Sequence, residues 1–62
     1  MNFENKIVWI TGASYGIGKA LTEQINTTNA KIIISSRRKE ELEKVKASCL
    51  NSNNIHIEIL DL

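Results

Sequence analysis

Short apolar runs alternate with amphipathic segments along this chain. Residues 7–10 and 32–34 are continuous apolar runs rich in β-branched side chains, which predict parallel strands buried on both faces. Residues 55–60 alternate between apolar and polar positions, which predicts a half-exposed strand. The pattern therefore indicates three strands, with the third at an edge of the sheet.

Apolar positions at helical spacing lie between the predicted strands. Ile17, Leu21 and Ile25 recur every four residues with Ala20 beside them, and they predict the apolar stripe of a first helix. A second helix is predicted over residues 39–50. Its apolar positions are Leu42, Val45, Cys49 and Leu50.

The order β-α-β-α-β with short connections predicts an α/β fold of the Rossmann type. Right-handed crossovers give a parallel sheet of strand order 3-2-1 with both helices on one face. The opposite face then lacks cover, although two strands are apolar on both sides. We therefore expect residues 1–62 to be the N-terminal portion of a larger doubly wound domain whose remainder is absent from this sequence. The alternative is a small protein that covers itself by dimerising.

The side chains of the predicted strands and helices divide between core and surface. We expect Trp9 and Cys49 to lie in the core, because both occupy apolar positions of predicted elements. His56 and Glu58 are the polar positions of the third strand, so we expect them on its solvated outer face.

Composition excludes several classes of function. The chain has 62 residues, a net charge of +1 and 42% hydrophobic residues, so no basic surface for nucleic acid or an anionic membrane is expected. The single cysteine, Cys49, and the single histidine, His56, cannot form a Cys/His zinc site, and no metal is expected. No apolar run approaches the roughly 20 residues that a membrane-spanning helix needs, so no such helix is expected. The N-terminus also lacks a signal-peptide pattern, which favours a cytoplasmic protein.

Three glycines lie between the first strand and the first helix. A helix N-terminus carries unsatisfied N–H groups and a partial positive charge, and it therefore binds phosphate groups. Gly12 would make the tight turn, Gly16 would allow close approach of a pyrophosphate, and Gly18 would let the helix pack on the strand. In a strand–loop–helix unit this spacing predicts a dinucleotide site. The alternative is a glycine-rich turn that only reverses the chain.

A phosphate-binding loop of the ATPase and GTPase type does not fit these residues. That loop ends in Gly-Lys-Ser/Thr and needs a glycine five residues before the second one. Gly18-Lys19 would require glycine at position 13, which is Ala13, and Ala20 occupies the position of the Mg²⁺-binding hydroxyl.

The loop sequence TGASYGIG at residues 11–18 resembles the Thr-Gly-x-x-x-Gly-Ile-Gly motif of the short-chain dehydrogenase/reductase family. The resemblance extends over the whole chain. It implies an oxidoreductase, acting as a homo-oligomer, that moves hydride between a nicotinamide dinucleotide and a small carbonyl or alcohol substrate. It also implies that six loop residues bind the dinucleotide: Gly12, Ser14, Tyr15, Gly16, Ile17 and Gly18. A non-catalytic nucleotide-binding or sensor protein on the same fold is the alternative.

The residues after the second strand predict which dinucleotide is bound. An acidic side chain at this position hydrogen-bonds the ribose of NAD and repels the 2′-phosphate of NADP. Here the matching residue is Ser36, followed by Arg37 and Arg38, and guanidinium groups suit a phosphate. We predict NADP in preference to NAD, with Arg37 as the main contact and Ser36 or Arg38 assisting. The alternative is an arginine pair in a solvated loop with glutamate partners, and Tyr15 departs from the basic residue found in many NADP-binding relatives.

The resemblance also implies a role for the last two residues and a location for the catalytic residues of the family. Asp61 and the backbone N–H of Leu62 would contact adenine, although a lone aspartate after a strand is also a common turn former. The catalytic Ser and Tyr-x-x-x-Lys of the family would lie after residue 62. Tyr15 and Lys19 have that spacing by coincidence, because they flank the loop on the adenosine side. No catalytic residue is expected within the chain.

Overall fold

A computed structural model describes residues 3–14 and 16–60. These residues form three strands, two α-helices and one 3₁₀ turn in the predicted order. The elements are β1 (Ile7–Thr11), α1 (Gly16–Ile25), β2 (Lys31–Ser36), α2 (Lys39–Ser48), the 3₁₀ turn Ser52–Asn54 and β3 (Ile55–Ile59). In this part of the chain, neither helix has the length and apolar composition that crossing a bilayer would require.

The three strands form one parallel sheet in the order β1-β2-β3, so the predicted 3-2-1 order and Rossmann-type α/β fold are confirmed. The register pairs Ile7 with Lys31 and Thr11 with Ser35. The carboxyl ends of β1 and β2 are therefore level with each other. The loop after β1 and the loop after β2 consequently begin side by side.

The core lies between the helices and one face of the sheet. Its most deeply buried aliphatic side chains include Ile32 and Ile34 from β2 and Leu42 and Val45 from α2, each at most 1% exposed. Cys49 is buried at the edge of this core, as predicted. Burial raises the pKa of the Cys49 thiol, the nearby Glu23 carboxylate raises it further, and a hydrogen bond with Ser48 acts in the opposite direction.

The sheet face opposite the helices carries large exposed side chains. Ile7 is 73% exposed and Trp9 is 56% exposed, so the prediction that Trp9 lies in the core was wrong. The two helices contact each other and pack on the same face of the sheet, as right-handed crossovers require, so neither helix covers Trp9. His56 and Glu58 are exposed on β3 as predicted, with His56 Nε2 3.1 Å from Glu58 Oε2.

The buried face of α1 differs from the predicted apolar stripe. Ile17 is 86% exposed and Leu21 is 40% exposed, whereas Thr22 and Ile25 are buried. The helix is rotated because Gly18 lies against the loop after β1, where a larger residue would not fit. Thr22 is accommodated in the core because its hydroxyl donates to the Gly18 carbonyl at 2.7 Å.

The second helix ends earlier than predicted. Its capping residue, Cys49, has an extended backbone with ψ of 143°, so the last helical residue is Ser48. Leu50 therefore leaves the helical face on which periodicity placed it, and its side chain is 87% exposed.

A reciprocal pair of asparagines joins the end of α1 to the segment after α2. Asn26 is 1% exposed. Its Oδ1 accepts the Asn51 N–H at 2.7 Å, and its Nδ2 donates to the Asn51 carbonyl at 2.9 Å. Asn51 Nδ2 donates in turn to the Asn26 carbonyl at 2.7 Å. Periodicity does not detect this bridge, because two distant polar residues satisfy each other only after the helices have packed.

Replacing Asn26 with alanine is expected to lower the free energy of unfolding by about 2 kcal/mol, because two backbone groups of the half-buried Asn51 lose their partners. Urea unfolding followed by circular dichroism measures this loss. Asn29→Ala is the control, because Asn29 makes its hydrogen bonds on the exposed surface. Equal losses in the two variants would contradict a special role for the buried bridge.

Candidate functional site

A cleft of about 460 Å³ opens at the carboxyl ends of the first two strands. Its lining residues are Thr11, Gly12, Ser35, Ser36, Arg37 and Leu60. In open α/β sheets, ligands bind outside the carboxyl ends of the strands. The cleft has two walls, one formed by the glycine loop after β1 and the other by the segment after β2.

Two of the loop glycines adopt backbone conformations that other residues seldom reach. Gly12 has φ of +66° and Gly16 has φ of +62°, and a Cβ atom built on either would meet no atom within 4 Å. The surface of the loop is therefore open at both positions. These two glycines shape the turn and leave room for a group that approaches the backbone.

Gly18 has a different role from the other two glycines. A Cβ atom there would lie 2.5 Å from the Gly12 carbonyl oxygen and 2.9 Å from the Ala13 Cα. The start of α1 therefore packs directly on the backbone of the loop. This contact fixes the direction of the helix N-terminus relative to the end of β1.

The loop also contains a buried hydroxyl group. Ser14 is 5% exposed, and its Oγ has no hydrogen-bond partner among the described residues. Buried hydroxyl groups are normally paired, so an unpaired one suggests that a ligand supplies the partner. Ser14 precedes α1 by two residues, close to the N–H groups of the first helical turn, which favour anions.

The segment after β2 contains two arginines that lie at different places on the surface. Arg37 lines the cleft, whereas Arg38 lines a separate depression together with Lys39, Glu40 and Glu41. The Ser36 hydroxyl accepts the Arg38 N–H at 3.0 Å and closes a tight turn. The hydroxyl keeps its own proton for donation to a further acceptor.

Both arginine side chains are exposed. Within residues 3–14 and 16–60, Lys44 lies within 4.0 Å of Glu41 and His56 within 4.0 Å of Glu58, and no such contact involves an arginine. In this part of the chain, no glutamate carboxylate therefore lies within 4.0 Å of either guanidinium, while the exposure of both arginines agrees with the solvated loop of the alternative interpretation.

The structure places eight of the predicted binding residues around this cleft and the adjoining helix ends. Gly12, Ser36 and Arg37 line the cleft itself. Gly16, Ile17 and Gly18 begin α1, Ser14 precedes it, and Arg38 caps α2. Tyr15, Asp61 and Leu62 lie outside the described residues, so their predicted roles remain predictions.

Sequence reasoning missed Ser35, which connects the two walls of the cleft. Its carbonyl accepts the Gly12 N–H at 2.8 Å and the Ala13 N–H at 3.4 Å. Its Oγ accepts the indole N–H of Trp9 at 2.9 Å. The available signal was the pairing of strand ends, because a parallel register places the polar residues Thr11 and Ser35 next to each other.

The sequence that forms this cleft matches a known protein family. The model of the family described as short chain dehydrogenase matches residues 6–62. The chain belongs to the short-chain dehydrogenase family. The predicted resemblance is thereby confirmed.

Individual short-chain dehydrogenases match the chain in sequence and in structure. Dehydrogenase/reductase SDR family member 7 from Mus musculus is 45% identical over 49 residues, covering 79% of this chain and 14% of that protein. Meso-2,3-butanediol dehydrogenase from Serratia marcescens is 35% identical over 63 residues, covering 98% of this chain and 25% of that protein. The crystal structure of glucose dehydrogenase from Caenorhabditis elegans superposes with a TM-score of 0.86 at 31% identity, covering 98% of this chain and 27% of that one. The chain thus spans at most about a quarter of the length of these relatives.

Short-chain dehydrogenases bind nicotinamide dinucleotides, and the residues of this cleft fit such a cofactor. Gly12 and Gly16 leave the loop open to a pyrophosphate. Ser14 offers an unpaired hydroxyl in the same loop. Arg37 adds a positive charge at the opposite wall. Arg37 therefore favours a negatively charged ligand, while the two glycines give it access to the backbone and Ser14 offers it a hydrogen bond.

Proposed function

We propose that this chain is the N-terminal, adenosine-binding portion of a Rossmann domain in an NADP(H)-dependent oxidoreductase. The observation that carries the choice of NADP is the position of Arg37, which lines the cleft together with Gly12. The residue that ends β2 is Ser36, where an NAD-binding site would carry an acidic side chain. Among residues 3–14 and 16–60, none of those that line the cleft is acidic.

Each wall of the cleft would hold a different part of the cofactor. The N–H groups at the start of α1, the open backbone at Gly12 and Gly16, and the Ser14 hydroxyl would hold the pyrophosphate. The Arg37 guanidinium would form charge-assisted hydrogen bonds to the 2′-phosphate, and the Ser36 hydroxyl would donate its proton there. When bound, the nicotinamide supplies the hydride chemistry. The chain itself would orient the cofactor and bind it selectively.

We further propose that hydride moves between the nicotinamide and a carbonyl or alcohol of a small molecule. Two similar proteins are named after substrates that carry alcohol groups: one is a butanediol dehydrogenase and the other is a glucose dehydrogenase. The groups that activate this substrate would lie in residues that follow position 62, as would the rest of the doubly wound domain. Family membership also supports the proposal that the complete protein forms a homo-oligomer.

The proposal is tested by calorimetric titration of the complete protein that carries this chain. NADPH is expected to bind at least about tenfold more tightly than NADH, because one charge-assisted hydrogen bond contributes about 1.5 kcal/mol or more. Addition of small ketones should then oxidise bound NADPH. Tighter binding of NADH would contradict the choice of NADP. Binding without hydride transfer to any ketone or aldehyde would instead support a non-catalytic nucleotide sensor.

A further inference from the structure

We propose, on the basis of the function proposed above, that Trp9 is a positioning residue for the dinucleotide and acts through Ser35. The indole Nε1 of Trp9 donates to Ser35 Oγ at 2.9 Å. Trp9 pairs with Ile33 in the strand register, so its side chain reaches two residues further along β2. The bond therefore connects β1 and β2 immediately before the two loops that form the cleft.

Ser35 holds both walls of the cleft at once. Its carbonyl accepts the N–H groups of Gly12 and Ala13 and so anchors the glycine loop. The next two residues along the chain, Ser36 and Arg37, form the opposite wall. A displacement of Ser35 would therefore change the distance between the pyrophosphate-binding wall and Arg37. A dinucleotide contacts both walls, and its affinity depends on this distance.

Burial explains why the Trp9 bond matters to Ser35 in particular. Ser35 is 0% exposed, so its hydroxyl must find a partner within the protein. The indole N–H of Trp9 supplies that partner from the sheet face opposite the helices. The hydrogen bond thus fixes the position of Ser35. Removing it should alter the cleft while the chain still folds.

Four variants of the complete protein test this role: Trp9→Phe, Ser35→Ala, their combination, and Ile7→Val as the control. Trp9→Phe keeps an aromatic ring and removes the donor. Ile7 lies on the same strand and the same sheet face as Trp9, and it takes no part in the bond to Ser35. Calorimetry would measure the affinity for NADPH, which spans both walls, and for adenosine 2′-monophosphate, which carries only the phosphate proposed for Arg37.

Trp9→Phe and Ser35→Ala are each expected to weaken NADPH binding about fivefold, the typical effect of one hydrogen bond. The affinity for adenosine 2′-monophosphate should change less than about twofold, since that probe does not span the cleft. The double variant should bind NADPH no more weakly than either single variant, because both remove the same bond. Ile7→Val should leave both affinities unchanged.

Unchanged NADPH affinity in Trp9→Phe would overturn the inference. An equal loss for both probes together with a lower melting temperature would also overturn it, because a general loss of structure would explain that result. A wild-type protein that binds neither probe would refute the proposed function and this inference together. If wild type prefers NADH, only the choice of NADP fails, and the same variants titrated with NADH and adenosine decide the role of Trp9.

Discussion

Combining Arg37→Asp with Arg38→Ala is expected to lower the ratio of NADPH affinity to NADH affinity about 100-fold, since a bidentate pair of charge-assisted hydrogen bonds from Arg37, about 1.5 kcal/mol each, would be lost. The new carboxylate would also repel the 2′-phosphate and accept hydrogen bonds from the ribose hydroxyls of NADH. Calorimetric titration of the complete protein with both cofactors measures the ratio directly.

The single variants separate the two arginines. Arg37 lines the cleft and Arg38 lies at the neighbouring depression beside Lys39, so Arg37→Ala should account for most of the change. Arg38→Ala is a matched control that removes the same charge one residue away. If the ratio stays constant in Arg37→Ala, or falls equally in both single variants, Arg37 is not the residue that selects the cofactor.

Replacing Gly18 with alanine is expected to destabilise the complete protein by about 3 kcal/mol, the upper range for an overpacked site. The added methyl group would lie 2.5 Å from the Gly12 carbonyl oxygen and 2.9 Å from the Ala13 Cα. Both atoms belong to the backbone, so no side-chain rotation relieves the contact. The glycine loop would have to move away from Ser35, or the start of α1 would have to move away from the sheet.

Gly16→Ala provides the matched comparison for Gly18→Ala. A Cβ atom at Gly16 meets nothing within 4 Å, but φ there is +62°, and a left-handed backbone costs a non-glycine residue about 1 kcal/mol. Urea unfolding should therefore rank Gly18→Ala as the more destabilised variant. If both variants lose the same stability, backbone strain rather than helix packing governs this loop.

The course of the backbone was predictable because it depends on short-range patterns. Residues 7–10 and 32–34 are continuous apolar runs, and the structure forms strands there. The crossover rule then led to the correct strand order. The position of the cleft could be predicted as well, because the loop with Gly12 and the segment with Arg37 follow neighbouring parallel strands.

Orientation of the side chains was less predictable. Periodicity placed Ile17 and Leu21 on the buried face of α1, but the close contact of Gly18 with the loop turns Thr22 inward instead. An apolar pattern records which residues favour burial and does not record how closely two backbones approach. Trp9 was misplaced for a related reason, because its burial depends on which sheet face the helices cover.

The sequence by itself determined the order of the elements, the parallel sheet, the glycine loop and the basic residues after β2. These properties follow from hydrophobic periodicity, crossover handedness and the spacing of glycines, all of which are local along the chain. Only the tertiary structure decided that Ser35 joins the glycine loop to Trp9 and that Asn26 bonds Asn51. Those contacts join residues about 25 positions apart, and they form only where the strand register and the helix packing bring donor and acceptor together.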